Sequence, residues 1–319
     1  MTADRRIGLL MACTTASLWG LLAIAMKVAT EQVPVLTIVW FRFTFAFVVL
    51  ACLVGLRDRK RLRILFRPPQ LLLIGALGLT LNYMGYLGGL NYTTPSNAQV
   101  LIQTAPLMLA MVGIFVFGER LVKAQWLGVV LSLVGFVFFT LDQQQGGVVS
   151  SEHFLLGNLL LFGGAVTWVL YAAIAKHLGG IGYRPQDLNL VIYGLPALTL
   201  WFLADFEILA AMDWKLWLLM CFLGANTLVA YGALGEAFKR IPAYQVGLII
   251  TLNPLITLAA MAVLQIFSPS WLPSDKVGAL GYSAALLVVG GVIQVLRKAP
   301  PAEKGVPGPD HSEAKGLKS

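Results

Sequence analysis

Charge is what this chain has least of. Only 12% of its 319 residues are charged, and acidic side chains are the scarcer sign, 15 Asp and Glu against 23 Lys and Arg. Soluble domains carry roughly 25% charged and about 45–50% apolar residues. A chain that is 58% hydrophobic and so poor in charge is therefore a polytopic membrane protein. Cysteine is equally sparse. Cys13, Cys52 and Cys221 all fall within apolar runs, where they pack as small apolar groups and form neither a disulfide framework nor a metal set. The three histidines, His153, His177 and His311, lie in loops or the tail, without HExxH or any zinc-ligand spacing. No metal and no cofactor is expected. The net charge of +8 does not point to nucleic acid, because in a membrane chain the placement of Lys and Arg carries the information. The expected partners are the lipid bilayer and a small-molecule substrate.

A helix needs roughly 20 apolar residues to cross a hydrocarbon core about 30 Å thick. Runs of that kind occur at about 7–28, 33–56, 70–90, 96–117, 122–141, 155–177, 187–205, 214–236, 242–267 and 275–296. They are too long, and too rich in Leu, Ala and Gly, for barrel strands. The reading is an all-α integral membrane protein of ten transmembrane helices. More spans follow the first run, so it is read as a helix and not as a cleaved signal. With the N-terminus inside, every Lys and Arg lies on the inner side except Lys27, Lys215, Lys276 and the intramembrane Arg42. Both termini are thus expected in the cytoplasm. The segment from Ala299 onward, rich in Pro, Gly and charge, is expected to be a disordered cytoplasmic tail (299–319).

Two stretches recur. "WGLLAIAMK" (Trp19–Lys27) matches "WVLYAAIAK" (Trp168–Lys176), and the segment Asn82–Pro106 matches Ala230–Pro254, with Tyr83 on Tyr231, Asn97 on Gln245 and Pro106 on Pro254. Matches at nearly one offset indicate a duplication, with copies at 1–145 and 146–298. Each copy holds five spans, an odd number, so the second crosses in the opposite sense: two inverted five-helix repeats, the construction of alternating-access carriers.

The repeats resemble EamA-type domains of the drug/metabolite transporter superfamily, and within it the YddG-like amino-acid exporters. The resemblance is carried by "SLWG", "WFRF", "NAQVLIQTAPLMLAMVGIFVFGERL" and "GVVLSLVGFVFF" and covers residues 7–297. It implies export rather than uptake, a bacterial-type cytoplasmic (inner) membrane, and no enzymatic activity. The second copy departs from the first, with Phe267 in place of Glu119, no arginine in place of Arg42, and Ala284 where Gly128 aligns.

Arg42 stands fifteen residues from Arg57, about 22 Å along a helix at 1.5 Å per residue. A charge at that depth needs a wet cavity or a partner; it either meets a substrate carboxylate or clamps backbone carbonyls. Gln99, Gln103 and Pro106 share one helical face, and Gln245, Asn253 and Pro254 repeat the arrangement. Interrupted helices at matching positions point to a central site, although the amides also serve as interhelical bonds. Trp19, Trp168, Asn82, Tyr83, Tyr86 and Tyr231 complete the candidate substrate-binding set, with Gly88, Gly89, Pro106 and Pro254 as hinges or helix breaks. No span centre holds Asp or Glu, since Glu31, Asp205, Asp213 and Asp275 read as outer flanks. Transport is therefore expected to run down the substrate gradient without obligatory proton coupling. Amino acids, aromatic and other neutral ones included, are the favoured cargo, with drugs or nucleoside and sugar derivatives as the alternative. A monomer suffices for this reading.

Overall fold

The computed structural model describes residues 3–108, 123–145, 151–241, 246, 249–267, 271–272 and 275–297. Within them the chain is helical, with no strand. The helices are α1 (Ala3–Thr30), α2 (Val35–Arg57), α3 (Gln70–Asn91), α4 (Pro95–Leu101), α5 (Lys123–Gln145), α6 (Ser151–Gly180), α7 (Pro185–Thr199), α8 (Trp214–Arg240), α9 (Asn253–Phe267) and α10 (Ala279–Arg297). Among the described residues α1, α2, α3, α5, α6 and α8 contain segments long and apolar enough to cross a membrane, while α9 and α10 are shorter apolar helices. The run expected at 187–205 becomes α7, a 3-10 turn at Trp201–Leu203 and a short helix at Phe206–Ala211. Most of the later half of the run expected at 96–117, together with Glu119, lies outside the described residues, as does the tail.

The ends of these helices follow from local chemistry. Pro34 and Pro69 precede α2 and α3, where a missing N–H costs nothing. The side chains of Thr94 and Asp213 accept the free N–H groups of Asn97 and Leu216 at the starts of α4 and α8. Consecutive helices reverse direction. At one end of the bundle Lys27 at the exit of α1 donates to Leu90 O and Asn91 O at the exit of α3, at 3.0 and 2.9 Å. At the other, Asp4 near the start of α1 meets Arg240 at the end of α8 at 3.2 Å, and Arg61 beyond α2 pairs with Asp187 at the start of α7 at 2.5 Å.

Among the pairs that join the first half of the chain to the second, four are α1 with α8, α3 with α6, α2 with α7 and α5 with α10. Replacing each helix by its counterpart five places on returns the same four pairs. Polar contacts obey the same exchange: Asn82 of α3 donates to Gly164 O of α6 at 2.9 Å, and Thr15 of α1 donates to Ala230 O of α8 at 3.1 Å. Between α5 and α10 the helices approach so closely that a Cβ at Gly128 would lie 2.6 Å from Gly291 O, and one at Gly135 would lie 2.9 Å from Ala284 O. One apolar core lies among α1, α2, α3, α6, α7 and α8, around Phe43, Leu79, Leu161 and Tyr193. A second joins α5 and α10 to Val100 of α4 and Leu258 of α9.

Candidate functional site

α4 with the residues that follow it, and α9 with the residues that precede it, meet beside a central cavity, and each carries a turn ahead of a resumed helix. α4 stops at Leu101, Ile102 and Gln103 form a turn, and helix resumes at 104–108; in the second half, helix at 249–250 gives way to a turn at Thr251 and Leu252 before α9. Each turn sits just ahead of a proline, Pro106 and Pro254, which lies in the first turn of the resumed helix. Proline cannot donate to a carbonyl four residues back, so the ladder is released there, and 3-10-type bonds such as Gln103 N to Val100 O (3.1 Å) and Leu252 N to Ile249 O (3.1 Å) fill in. Gly88 and Gly89 do not mark an interruption of this kind: α3 runs through them to Asn91. At Gly89 an added Cβ would stand 2.6 Å from Gly157 O of α6, which makes this glycine a point of close helix approach.

Beside the turns lies a cavity of about 130 Å³. Trp19 and Met26 of α1, Arg42 of α2, and Asn82, Tyr83 and Tyr86 of α3 line one part of it. Gln99, Gln103 and Pro106 border it from the first interrupted helix, Trp168 and Tyr231 from α6 and α8, and Asn253 from the second interrupted helix. The structure thus brings together every substrate-binding candidate except Gln245, which lies outside the described residues. Pro254 is buried in the first turn of α9 behind Asn253.

Arg42 is 2% exposed. Its Nε donates to Thr227 Oγ1 at 3.2 Å, its Nη1 to Met26 Sδ at 2.8 Å, and its guanidinium lies 4.5 Å above the Tyr83 ring. Among the described residues no carboxylate pairs with it. A buried guanidinium with five donors is held here by a hydroxyl, a thioether and a ring face, all weak counterparts for a cation. The site is therefore positive and short of acceptors. Around it the aromatic rings interlock, with Trp19 and Tyr231 edge to face at 5.2 Å, and Phe43 and Tyr83 tilted at 4.4 Å.

The amides divide into two kinds. Gln99 donates to Trp19 O at 2.8 Å and Asn82 to Gly164 O, so their N–H groups bind helices to one another. Asn253, with its amide oriented to donate, reaches Ala16 O and Ile250 O at 3.0 and 2.9 Å. With Asn226 on Leu18 O (3.0 Å) and Thr257 on Gly20 O (2.5 Å), side chains from α4, α8 and α9 thus reach the carbonyls at residues 16, 18, 19 and 20, gripping α1 at its waist. Among the described residues Gln103 is buried yet makes no side-chain hydrogen bond, and the Tyr86 hydroxyl is buried without a partner. These two groups, with the Arg42 N–H groups that Thr227 and Met26 leave over, are among the uncommitted polar functions of the cavity.

Sequence reasoning missed Thr227, Asn226 and Met26. Thr227 lies one helical turn before Tyr231, so the polar positions of that span carried the signal; Met26 carried none. Asp275 lies at the end of the bundle that carries Lys27, as a flanking residue would, but it is 2% exposed, because the chain folds it from the loop ahead of α10 onto the start of α4. Ser96 N donates to its Oδ2 at 2.9 Å, while Oδ1 has no partner. Burial pushes this carboxyl up, against the Ser96 and Thr94 hydrogen bonds and the Lys27 charge, which pull it down. A carboxyl raised on folding stabilises most below its ordinary pKa and loses that contribution as pH climbs through the raised value. The thermal stability of the wild type should therefore fall as pH rises from the ordinary carboxylate range upward, while Asp275→Asn should show a flatter pH dependence over that window. Parallel profiles for the two proteins would count against the buried ionisable group.

Relatives agree with this architecture. The EamA-like transporter family model matches twice, at residues 6–141 and 155–295. The chain is 34% identical over 297 residues to the uncharacterized inner membrane transporter YhbE of Escherichia coli, covering 92% of each chain. It is 25% identical to the aromatic amino acid exporter YddG of Ancylobacter novellus, over 92% of this chain and 98% of that one, and 25% identical to a probable amino-acid metabolite efflux pump of Escherichia coli, over 91% and 94%. A solved crystal structure at 21% identity superposes with a TM-score of 0.64 over 92% of this chain and 98% of its own, which shows a shared fold. With the family model covering nearly all of both halves, and helices long and apolar enough to span a bilayer around a central polar cavity, the chain belongs to the EamA-like transporters of the drug/metabolite transporter superfamily and is a membrane transporter.

Proposed function

We infer that the protein exports amino acids, aromatic and other neutral ones included, by facilitated alternating access through the central cavity. Its helices are read as two inverted five-helix repeats (1–145 and 146–298) with both termini cytoplasmic. The observation that carries the cargo reading is Arg42: a buried, acceptor-poor guanidinium in an aromatic-walled cavity with no acidic lining residue among those described. A carboxylate supplies what this guanidinium lacks, in a site where charge-assisted hydrogen bonds are strong. Trp19, Trp168, Tyr83 and Tyr231 offer ring faces to an apolar or aromatic side chain and to its ammonium group. Gln103 and the Tyr86 hydroxyl are free to bond the remaining polar atoms. A free organic cation is disfavoured by Arg42, and a phosphate ester by the lack of a second cation on the cavity wall.

The inverted repeat is supported by the double family match, by the exchange of helix pairs between the halves, and by the alternation of helix direction. A paired break of two helices beside the cavity is what alternating access about a central site requires. The names of two relatives at 25% identity, an aromatic amino acid exporter and an amino-acid metabolite efflux pump, point the same way.

The test is counterflow in proteoliposomes preloaded with unlabelled amino acids. Labelled phenylalanine, tryptophan and small neutral amino acids should exchange saturably. The corresponding amine, lacking the carboxylate, should not. Silence across the whole amino-acid panel, with exchange of a nucleoside or drug, would replace this cargo by the superfamily's other classes.

A further inference from the structure

A second built pocket lies far from the transport cavity, where α2 leaves the bundle at the end that carries the start of α1 and the end of α10. α2 ends at Arg57, Asp58 caps the following turn by accepting from Lys60 N, and a 3-10 helix runs over Arg59–Leu65. The segment is two-faced. Leu62, Ile64 and Leu65 pack inward against the core, with Leu62 in contact with α2 at Gly55. Arg57, Arg59, Lys60, Arg63 and Arg67 are exposed, and none of the five forms an ion pair among the described residues. Leu56 and Phe66, each 85% exposed, stand beside them. Exposed large apolar side chains interleaved with free cations suit a bilayer interface better than water.

Beneath this segment is a cavity of about 170 Å³ lined by Leu50, Leu53, Val54, Arg57, Arg61 and Gln186. Its chemistry is graded along α2: leucine and valine deeper along the helix, two guanidiniums and an amide at its end. Arg61 is fixed there by Asp187 and Gln186 of α7, whereas Arg57 has no partner among the described residues. We propose that this pocket binds an anionic glycerophospholipid, its phosphate between Arg57 and Arg61 and one acyl chain along Leu50, Leu53 and Val54. The lipid would bridge α2 and α7, one of the pairs that join the two halves. Cytoplasmic leaflets carry such lipids, and basic residues next to a span attract them. The site serves no step of cargo recognition, and its test is independent of transport.

The experiment is thermal unfolding of the full chain in detergent with added phosphatidylglycerol, phosphatidylcholine or inorganic phosphate. Phosphatidylglycerol should raise the melting temperature, and phosphatidylcholine and inorganic phosphate should not. Arg57→Gln, at an exposed and unpaired position, should keep the fold and weaken phosphatidylglycerol retention about fivefold in native mass spectrometry, the loss of one basic residue near the surface. The double variant Arg59→Gln/Lys60→Gln removes more charge from the same loop but none from the pocket, and should retain the lipid as the wild type does. Equal weakening in both variants would show diffuse attraction to the basic loop and overturn the pocket. So would equal shifts with both lipids, no shift with either, or a shift with inorganic phosphate alone.

Discussion

Replacing Arg42 by glutamine is expected to abolish amino-acid counterflow while leaving the protein folded and at least as heat-stable. The transport loss follows from removing the one charge that the described residues place on the cavity wall. Deleting one side of a desolvated, hydrogen-bonded charge pair costs roughly 2–5 kcal/mol, about 30-fold to several-thousand-fold in affinity. The stability expectation has the opposite sign. Among the described residues Arg42 is buried against Thr227, Met26 and the Tyr83 ring, so its cost of leaving water is poorly compensated. Glutamine removes that cost and still bonds Thr227. Arg42→Lys keeps charge but loses the planar fork and the ring stacking, and should fall between the two. Counterflow and thermal unfolding measured on one preparation separate this role from the structural clamp that the sequence left open. A glutamine variant that transports normally but melts early would assign Arg42 to the clamp.

Gly128→Leu is expected to cost the fold itself. A Cβ there meets Gly291 O at 2.6 Å and Gln294 Cβ and Val295 Cγ2 at 3.0 Å, and the nearest of these is backbone on a partner helix. Overpacking of a tight contact typically costs 1–3 kcal/mol, and a whole isobutyl group between two backbones lies at or beyond the upper end. α5 and α10 form the second core together, so separating them leaves Val100 and Leu258 without cover. The expected result is little or no monodisperse protein in detergent. Gly163→Ala and Gly290→Ala, at positions where a Cβ meets nothing within 4 Å, should express normally and melt within about 0.5 kcal/mol of the wild type. Comparable losses in all three would mean that the α5–α10 approach is not what the glycine protects.

Much of the site was legible because polar residues are rare in apolar spans and each needs a reason to be there. That is why Arg42, Asn82, Gln99, Gln103 and Asn253 were found from sequence and now border one cavity. Repetition supplied Trp168 and Tyr231, which are unremarkable by themselves. What stayed hidden has an equally physical cause. Asp275 sits where span meets loop, and only tertiary folding decides whether such a carboxylate faces water or is carried onto the N-terminus of another helix. The pairing of α1 with α8 and of α3 with α6 was invisible, since spans that are apolar on all sides carry no amphipathic face to indicate a neighbour. The turns at Ile102 and Thr251 were signalled by Pro106 and Pro254, whereas α3 runs unbroken through Gly88 and Gly89, because glycine permits close packing as readily as bending.

The approach of α5 to α10 has a consequence for how the chain can change over time. Gly128 faces Gly291 and Gly135 faces Ala284, and Gly128 and Gly135 correspond in the second copy to Ala284 and Gly291. On the proposed duplication the two contacts are images of each other, the relation that residues bear across an isologous interface. A single polypeptide then carries both halves of one self-complementary contact. An enlargement on one face has to be met by a reduction on the other, so these four positions drift as a unit or not at all.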